Sequence, residues 1–142
     1  MYTSQIINHT ADVGFTIEAA TVNELFEGAA ILTFEVMTDL KKIKPISIKT
    51  VEIESETIEK LLFDFIDELI FLKDAEYMLF SEFHIEVTEQ KKGKATLKAE
   101  LVGEEINPKK HELKVDVKAV TLHHFYLKKE QGKYKASIIL DI

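Results

Sequence analysis

The chain has no cysteine and no arginine, and its five glycines are scattered one by one through 142 residues. Without cysteine, disulfides, thiolate catalysis and cysteine-ligated zinc are all excluded. Without arginine, every basic side chain is a lysine, and the bidentate fork favoured for phosphate and guanine recognition is missing. Dispersed glycines form no phosphate-cradling loop, so nucleotide binding of the Walker or dinucleotide kind is unsupported. No serine sits in a nucleophile elbow. No stretch approaches the roughly 18 apolar residues of a membrane-spanning helix. The opening residues also lack the charged and apolar regions of a signal peptide. A soluble, cytoplasmic protein with no membrane partner is expected.

A formal net charge of −7 argues against broad phosphate neutralisation, so no strong direct nucleic-acid binding is expected. Lysines gather at 41, 42 and 44, at 91, 92 and 94, and at 128, 129, 133 and 135. Clusters of this kind in turns serve solubility. What the chain does have is a hydrophobic fraction of 46% and a charged fraction of 30%, the balance of a globular protein. Residues 1–142 read as one domain, long enough to bury about 70% of the unfolded surface.

Hydrophobic periodicity outlines the elements. A first strand begins around Gln5 and finishes over Thr16 to Ala20. Thr21-Val-Asn-Glu24 is a capping box, followed by a helix with Val22, Leu25, Phe26, Ala29, Thr33, Val36 and Met37 at helical spacing, ending near Asp39. Ile46 to Glu54 reads as a strand whose apolar phase slips at Thr50–Val51, which suggests a bulge or exposure on both faces. Ser55 is the expected N-cap of a second helix striped by Ile58, Leu61, Leu62, Phe65, Ile66, Leu69 and Leu72. Phe63 and Phe71 fall off that stripe, as on a helix covered from two sides or one carrying a partner-binding patch, and coverage is the favoured reading.

Alternation then predicts strands through Phe83–Val87 and Ala95–Leu101, with a turn at Gln90–Gly93 between them. A loop is expected at Asn107-Pro108. Further strands are predicted through Leu113–Ala119, around His123 to Lys128, and from Tyr134 to Leu140 after a turn near Gln131-Gly132. The fold class is α+β: a two-layer sandwich with a mostly antiparallel six- to seven-stranded sheet packed against two amphipathic helices.

Two acids stand out in apolar surroundings. Asp141 sits in the closing run Ser137-Ile-Ile-Leu-Asp-Ile142, and Asp12 sits in His9-Thr-Ala-Asp-Val-Gly14. A carboxylate in a buried strand is costly unless something compensates it. If the two segments meet, Asp12, Asp141 and the Ile142 terminus form an oxygen cluster of like charge, which takes up a proton or binds a hard cation. The competing reading makes Asp12 a turn residue ahead of Gly14 and leaves Asp141 fraying with the terminus. The adjacent acids Glu104 and Glu105 read as solvated. His123 and His124, as neighbours on a strand, should face opposite sides and not share a metal. His111 reads as a satisfied or surface histidine, and Lys118 as a lysine near a strand end.

His9-Thr-Ala-Asp-Val-Gly14, Leu61-Leu-Phe-Asp-Phe-Ile-Asp-Glu-Leu-Ile70, Val117-Lys-Ala-Val-Thr-Leu-His123 and Leu140-Asp-Ile142 together resemble the archease family, in order and across the full chain. The resemblance implies a small accessory protein, not itself an enzyme. Its role would be to activate the GTP-dependent RNA-splicing ligase of tRNA splicing, promoting ligase guanylation and multiple turnover. The resemblance also implies a divalent cation, calcium or alternatively magnesium, on Asp12, Asp141 and Ile142. Lys118, His123 and His9 are then the residues expected to meet the partner. One departure is Leu122, where the family pattern carries an aromatic residue. An alternative role is a chaperone-like modulator of a tRNA cytosine methyltransferase, and an independent metal-dependent hydrolase ranks last.

Overall fold

The computed structural model describes residues 1–8 and 12–142. Strands β1 (Tyr2–Asn8) and β2 (Asp12–Ala19) pair antiparallel, so the expected single N-terminal strand is two. Helix α1 (Val22–Met37) follows, capped by Thr21, whose hydroxyl accepts from the Glu24 N–H at 3.2 Å. A short 3-10 turn at Leu40–Lys42 leads to β3 (Ser47–Ser55), helix α2 (Ile58–Glu76), β4 (Met78–Glu89), β5 (Ala95–Glu105), β6 (Ala119–Glu130) and β7 (Lys133–Asp141). No helix among the described residues is long and apolar enough to cross a membrane, which says nothing of strands.

The α+β class holds, with the seven strands of the described residues antiparallel to their neighbours and divided between two sheets of order β1-β2-β7-β6 and β3-β5-β4. Both helices pack on strands of both sheets, and one continuous core results. Its centre is aromatic: Phe34 meets Phe80 edge-on at 5.7 Å and stacks on Phe83 at 5.8 Å, while Phe26 and Phe65 join the helices at 6.1 Å. Truncating any of the fully buried rings Phe26, Phe34, Phe65 and Phe80 should cost about 3–5 kcal/mol.

Several local expectations are corrected. The α2 N-cap is Thr57, which accepts from the Lys60 N–H at 3.0 Å; Ser55 ends β3 and its hydroxyl donates to Asp64 at 2.6 Å. Strand β3 keeps an unbroken register with β5, so its phase slip marks the outward-facing Ile48 and not a bulge. The bulges lie elsewhere: at Ser81 in β4, and between Thr121 and Tyr126 in β6. The β4 bulge brings the chain so close to Gly103 that a Cβ there would meet the Leu79 carbonyl and sit 2.8 Å from the Phe80 Cα. Phe63 is covered by Phe125 at 5.3 Å, whereas Phe71 stays exposed.

The predicted strand over Leu113–Ala119 is absent up to Lys118. Residues 106–118 instead run irregularly, held by an isolated bridge from Leu113 to Thr38 and a Lys114 N–H bond to the Met37 carbonyl at 2.8 Å. This path carries Val117 into the core, wholly buried. At the other end of β7, Gln131 and Gly132 both adopt positive φ (54° and 77°), the conformation of a tight two-residue hairpin turn.

Candidate functional site

Strand β7 is central in its sheet, with β2 on one side and β6 on the other. The register places Asp12 opposite Asp141, and Asp141 opposite Ala119. The next row, Val13–Leu140–Val120, is buried against the helices. Because side chains alternate along a strand, Asp12, Asp141 and Ala119 belong to the outer face. The two segments therefore meet, and neither acid behaves as the competing reading supposed. Asp12 is the first residue of β2 and not a turn cap, and the Asp141 backbone is paired on both sides instead of fraying.

Directly opposed residues on antiparallel strands hold their Cβ atoms about 4.5–5.5 Å apart, and like charges so placed repel. Asp12 Oδ1 is fully shielded from solvent and has no hydrogen-bond partner among the described residues. A buried carboxylate oxygen left unpaired is a costly arrangement in a folded chain. The oxygen-only donor set fits a hard cation. Among the described residues no three His, Asp or Glu side chains converge, so two carboxylates alone do not complete a coordination shell. Ile142 follows Asp141 directly and is half-buried against the core.

Lys118 enters this site through its backbone: its N–H donates to the Asp141 carbonyl at 2.8 Å, and its side chain is exposed. His123 lies in the β6 bulge, where residues 122–125 stand against the single residue Ile138. His124 takes a left-handed conformation (φ 51°), and the His123 and His124 rings come to 4.1 Å between centroids. The expectation that these neighbours face opposite sides is overturned, because the bulge breaks the alternation it rested on. Leu122, at 76% exposure, projects from the same bulge. His9 lies outside the described residues.

Sequence reasoning missed two features here. Thr121 occupies the next outer row, Gly14–Ile139–Thr121, and its Oγ1 is also buried without a partner among the described residues. Lys73 on α2 is 5% exposed and reaches the segment leading into Lys118. Its signal was present, since Lys73 falls four residues after Leu69 and seven after Ile66 on the buried stripe.

A second acid cluster contrasts with the first. Glu104, read as solvated, is buried at the end of β5. It accepts from Lys110 Nζ (2.7 and 2.6 Å), from the Lys44 N–H (2.6 Å) and from His111 Nε2 (3.0 Å). His111 Nδ1 accepts from the Asn107 N–H at 2.9 Å, so Nε2 carries the proton donated to Glu104. The Lys110 ammonium, then the Lys44 N–H, hold the Glu104 carboxyl down at about 2, against the opposing effect of burial.

Residues 5–142 match the Archease protein family (MTH1598/TM1083). The chain is 42% identical over 133 residues to Protein archease of Methanothermobacter thermautotrophicus, covering 94% of each chain. It is 36% identical over 138 residues to Protein archease of Sulfurisphaera tokodaii, covering 97% of each. The solution structure of Methanobacterium thermoautotrophicum protein 1598 superposes with a TM-score of 0.85 at 40% identity, covering 98% of both chains. A crystal structure from Thermotoga maritima, described as an archease and possible chaperone, shares the fold at a TM-score of 0.60 and 19% identity, covering 96% of this chain and 94% of that one. The chain belongs to the archease family.

Proposed function

We propose that this protein is an accessory activator of the GTP-dependent RNA-splicing ligase in tRNA splicing, acting in the cytoplasm without catalysis of its own. The observation that carries the proposal is the row Asp12–Asp141, with Lys118 bonded to Asp141 through its backbone. These are the residues that the family resemblance marks, and they come from three separate parts of the sequence.

In this reading Asp12 and Asp141, with a backbone oxygen of Ile142, hold a divalent cation, calcium or alternatively magnesium. When bound, the cation would neutralise two opposed carboxylates and tie the ends of β2 and β7 together. The chain's own residues do the rest: the strand pairing fixes both acids on one face, and the Lys118 N–H locks the start of β6 to β7. The exposed Lys118 side chain is then free to meet the ligase, as is His123 from its bulge, with His9 assigned to the same surface by resemblance alone.

The words "possible chaperone" belong to the Thermotoga protein, whose 19% identity carries the fold and no more. A chaperone-like action on a tRNA methyltransferase is therefore the second reading. Ligase guanylation and multiple-turnover RNA joining, with and without this protein, separate the two. The activator reading expects strong stimulation by the wild type and none by the protein alone. Unchanged ligation together with altered methyltransferase specificity would favour the second reading.

A further inference from the structure

Among the described residues one lysine ammonium is buried. Lys73 is 5% exposed, near the C-terminal end of α2. Its Nζ meets Asp74 at 2.7 Å, Asp116 at 2.5 Å and the Val117 carbonyl at 2.8 Å. Both acids are mostly solvent-exposed, at 56% and 69%. Replacing buried ion pairs by apolar residues of similar size is often neutral or stabilising. That holds when the whole pair is replaced; here the ammonium also serves the buried Val117 carbonyl, so its removal alone carries a cost, and its choice of acceptors points to a positional role.

The Val117 carbonyl and the Lys118 N–H belong to one peptide group, which is planar and rigid. Lys73 holds the oxygen end of that plane, and the Asp141 carbonyl accepts from its N–H end at 2.8 Å. An ammonium on the carbonyl also polarises the peptide and strengthens the N–H donor on its far side. No regular strand pairing begins until Ala119, so these two bonds set the direction in which the irregular segment delivers Lys118 to the sheet.

We propose that Lys73 is a positioning residue for Lys118: by clamping the 117–118 peptide against Asp141, it aims the Lys118 side chain at the partner. The functional half of this inference rests on the ligase-activator reading; the structural half does not. Lys73→Met keeps the length and the apolar stem while removing the clamp. Two measurements on the full chain test the proposal.

In amide hydrogen exchange, Lys73→Met should speed exchange of the Lys118 N–H by about tenfold while the β5 amides keep their protection. Asp116→Asn should act in the same direction with a smaller effect, and it stands in if Lys73→Met does not fold. Asp74→Asn, which leaves the bonds to residues 116 and 117 in place, should change little. An unaltered Lys118 amide, or an equal loss of protection in every strand, would overturn the proposal.

In ligase activation, Lys73→Met should lower turnover, and Lys73→Met with Lys118→Ala should be no worse than Lys118→Ala alone. A further, additive loss in the double variant would mean that Lys73 acts by another route. Should the wild type fail to stimulate the ligase at all, the activator reading falls, and the exchange result alone decides whether Lys73 positions Lys118.

Discussion

Glu104 and Asp12 are both acids at the ends of strands, and the protein treats them in opposite ways. Glu104 is surrounded: a lysine, a histidine and a backbone N–H supply every donor its carboxylate can use. Asp12 is opposed by another carboxylate, and one of its oxygens is buried with no donor among the described residues. A carboxylate satisfied by the chain is part of the fold, whereas one left unsatisfied is, on the proposed reading, the place for a cation to bind. If this contrast holds, damage at the Glu104 end should reduce stability, and damage at the Asp12 end should reduce binding.

The largest effect is expected beside Glu104. Gly103→Ala would drive a Cβ into the Leu79 carbonyl and Phe80 Cα, backbone atoms that cannot step aside. A loss of about 3 kcal/mol or more is expected in urea unfolding, at the upper end of overpacking costs. The same variant should keep its cation response at temperatures where it is folded.

Glu104→Gln comes next. The wild-type carboxyl is held at about 2, from an ordinary value of 4.5, so its contribution to stability is complete above about pH 5 and drains away as pH falls toward 2. The variant should melt lower at pH 7 and show a flatter acid limb over that window. Melting curves from pH 7 down to pH 2 read both effects; parallel acid limbs for the two proteins would place Glu104 outside the fold's electrostatics.

Helices and hairpins were legible because their signals are local. Thr21 with Glu24, the stripe from Ile58 to Leu72, and the alternation in β4 and β5 each need only neighbours in sequence. The Asp12–Asp141 pair was legible for a different reason, since two acids in apolar runs at opposite ends of the chain need a common explanation. What escaped depended on bulges and on distant partners. Glu104 is buried under its donors Lys44, Lys110 and His111, which come from two other segments. The His123–His124 contact exists because the β6 bulge suspends the two-residue period. Residues 113–118 alternate like a strand, yet they are held by Met37, Thr38 and Lys73, leaving that alternation without a sheet to serve.

At the Asp12 end the sign should reverse. In the presence of a chelator, Asp12→Asn removes one of two opposed charges and should leave stability unchanged or raise it by a few tenths to about 1 kcal/mol. A marked loss under those conditions would make Asp12 a structural acid like Glu104. The smallest effect is expected for Lys118→Ala, an exposed side chain whose removal should change stability by no more than about 0.5 kcal/mol. Its ligase activation should nonetheless fall sharply, and full activation would return Lys118 to an ordinary surface lysine.

The contrast is tested most directly by calcium-dependent stability of the wild type, Asp12→Asn and Asp141→Asn. The wild type should gain saturable stability, about 2.7 kcal/mol at 100 times the dissociation constant. Both variants should lose most of that gain, because one site needs both acids. An equal calcium response in all three proteins would contradict the account.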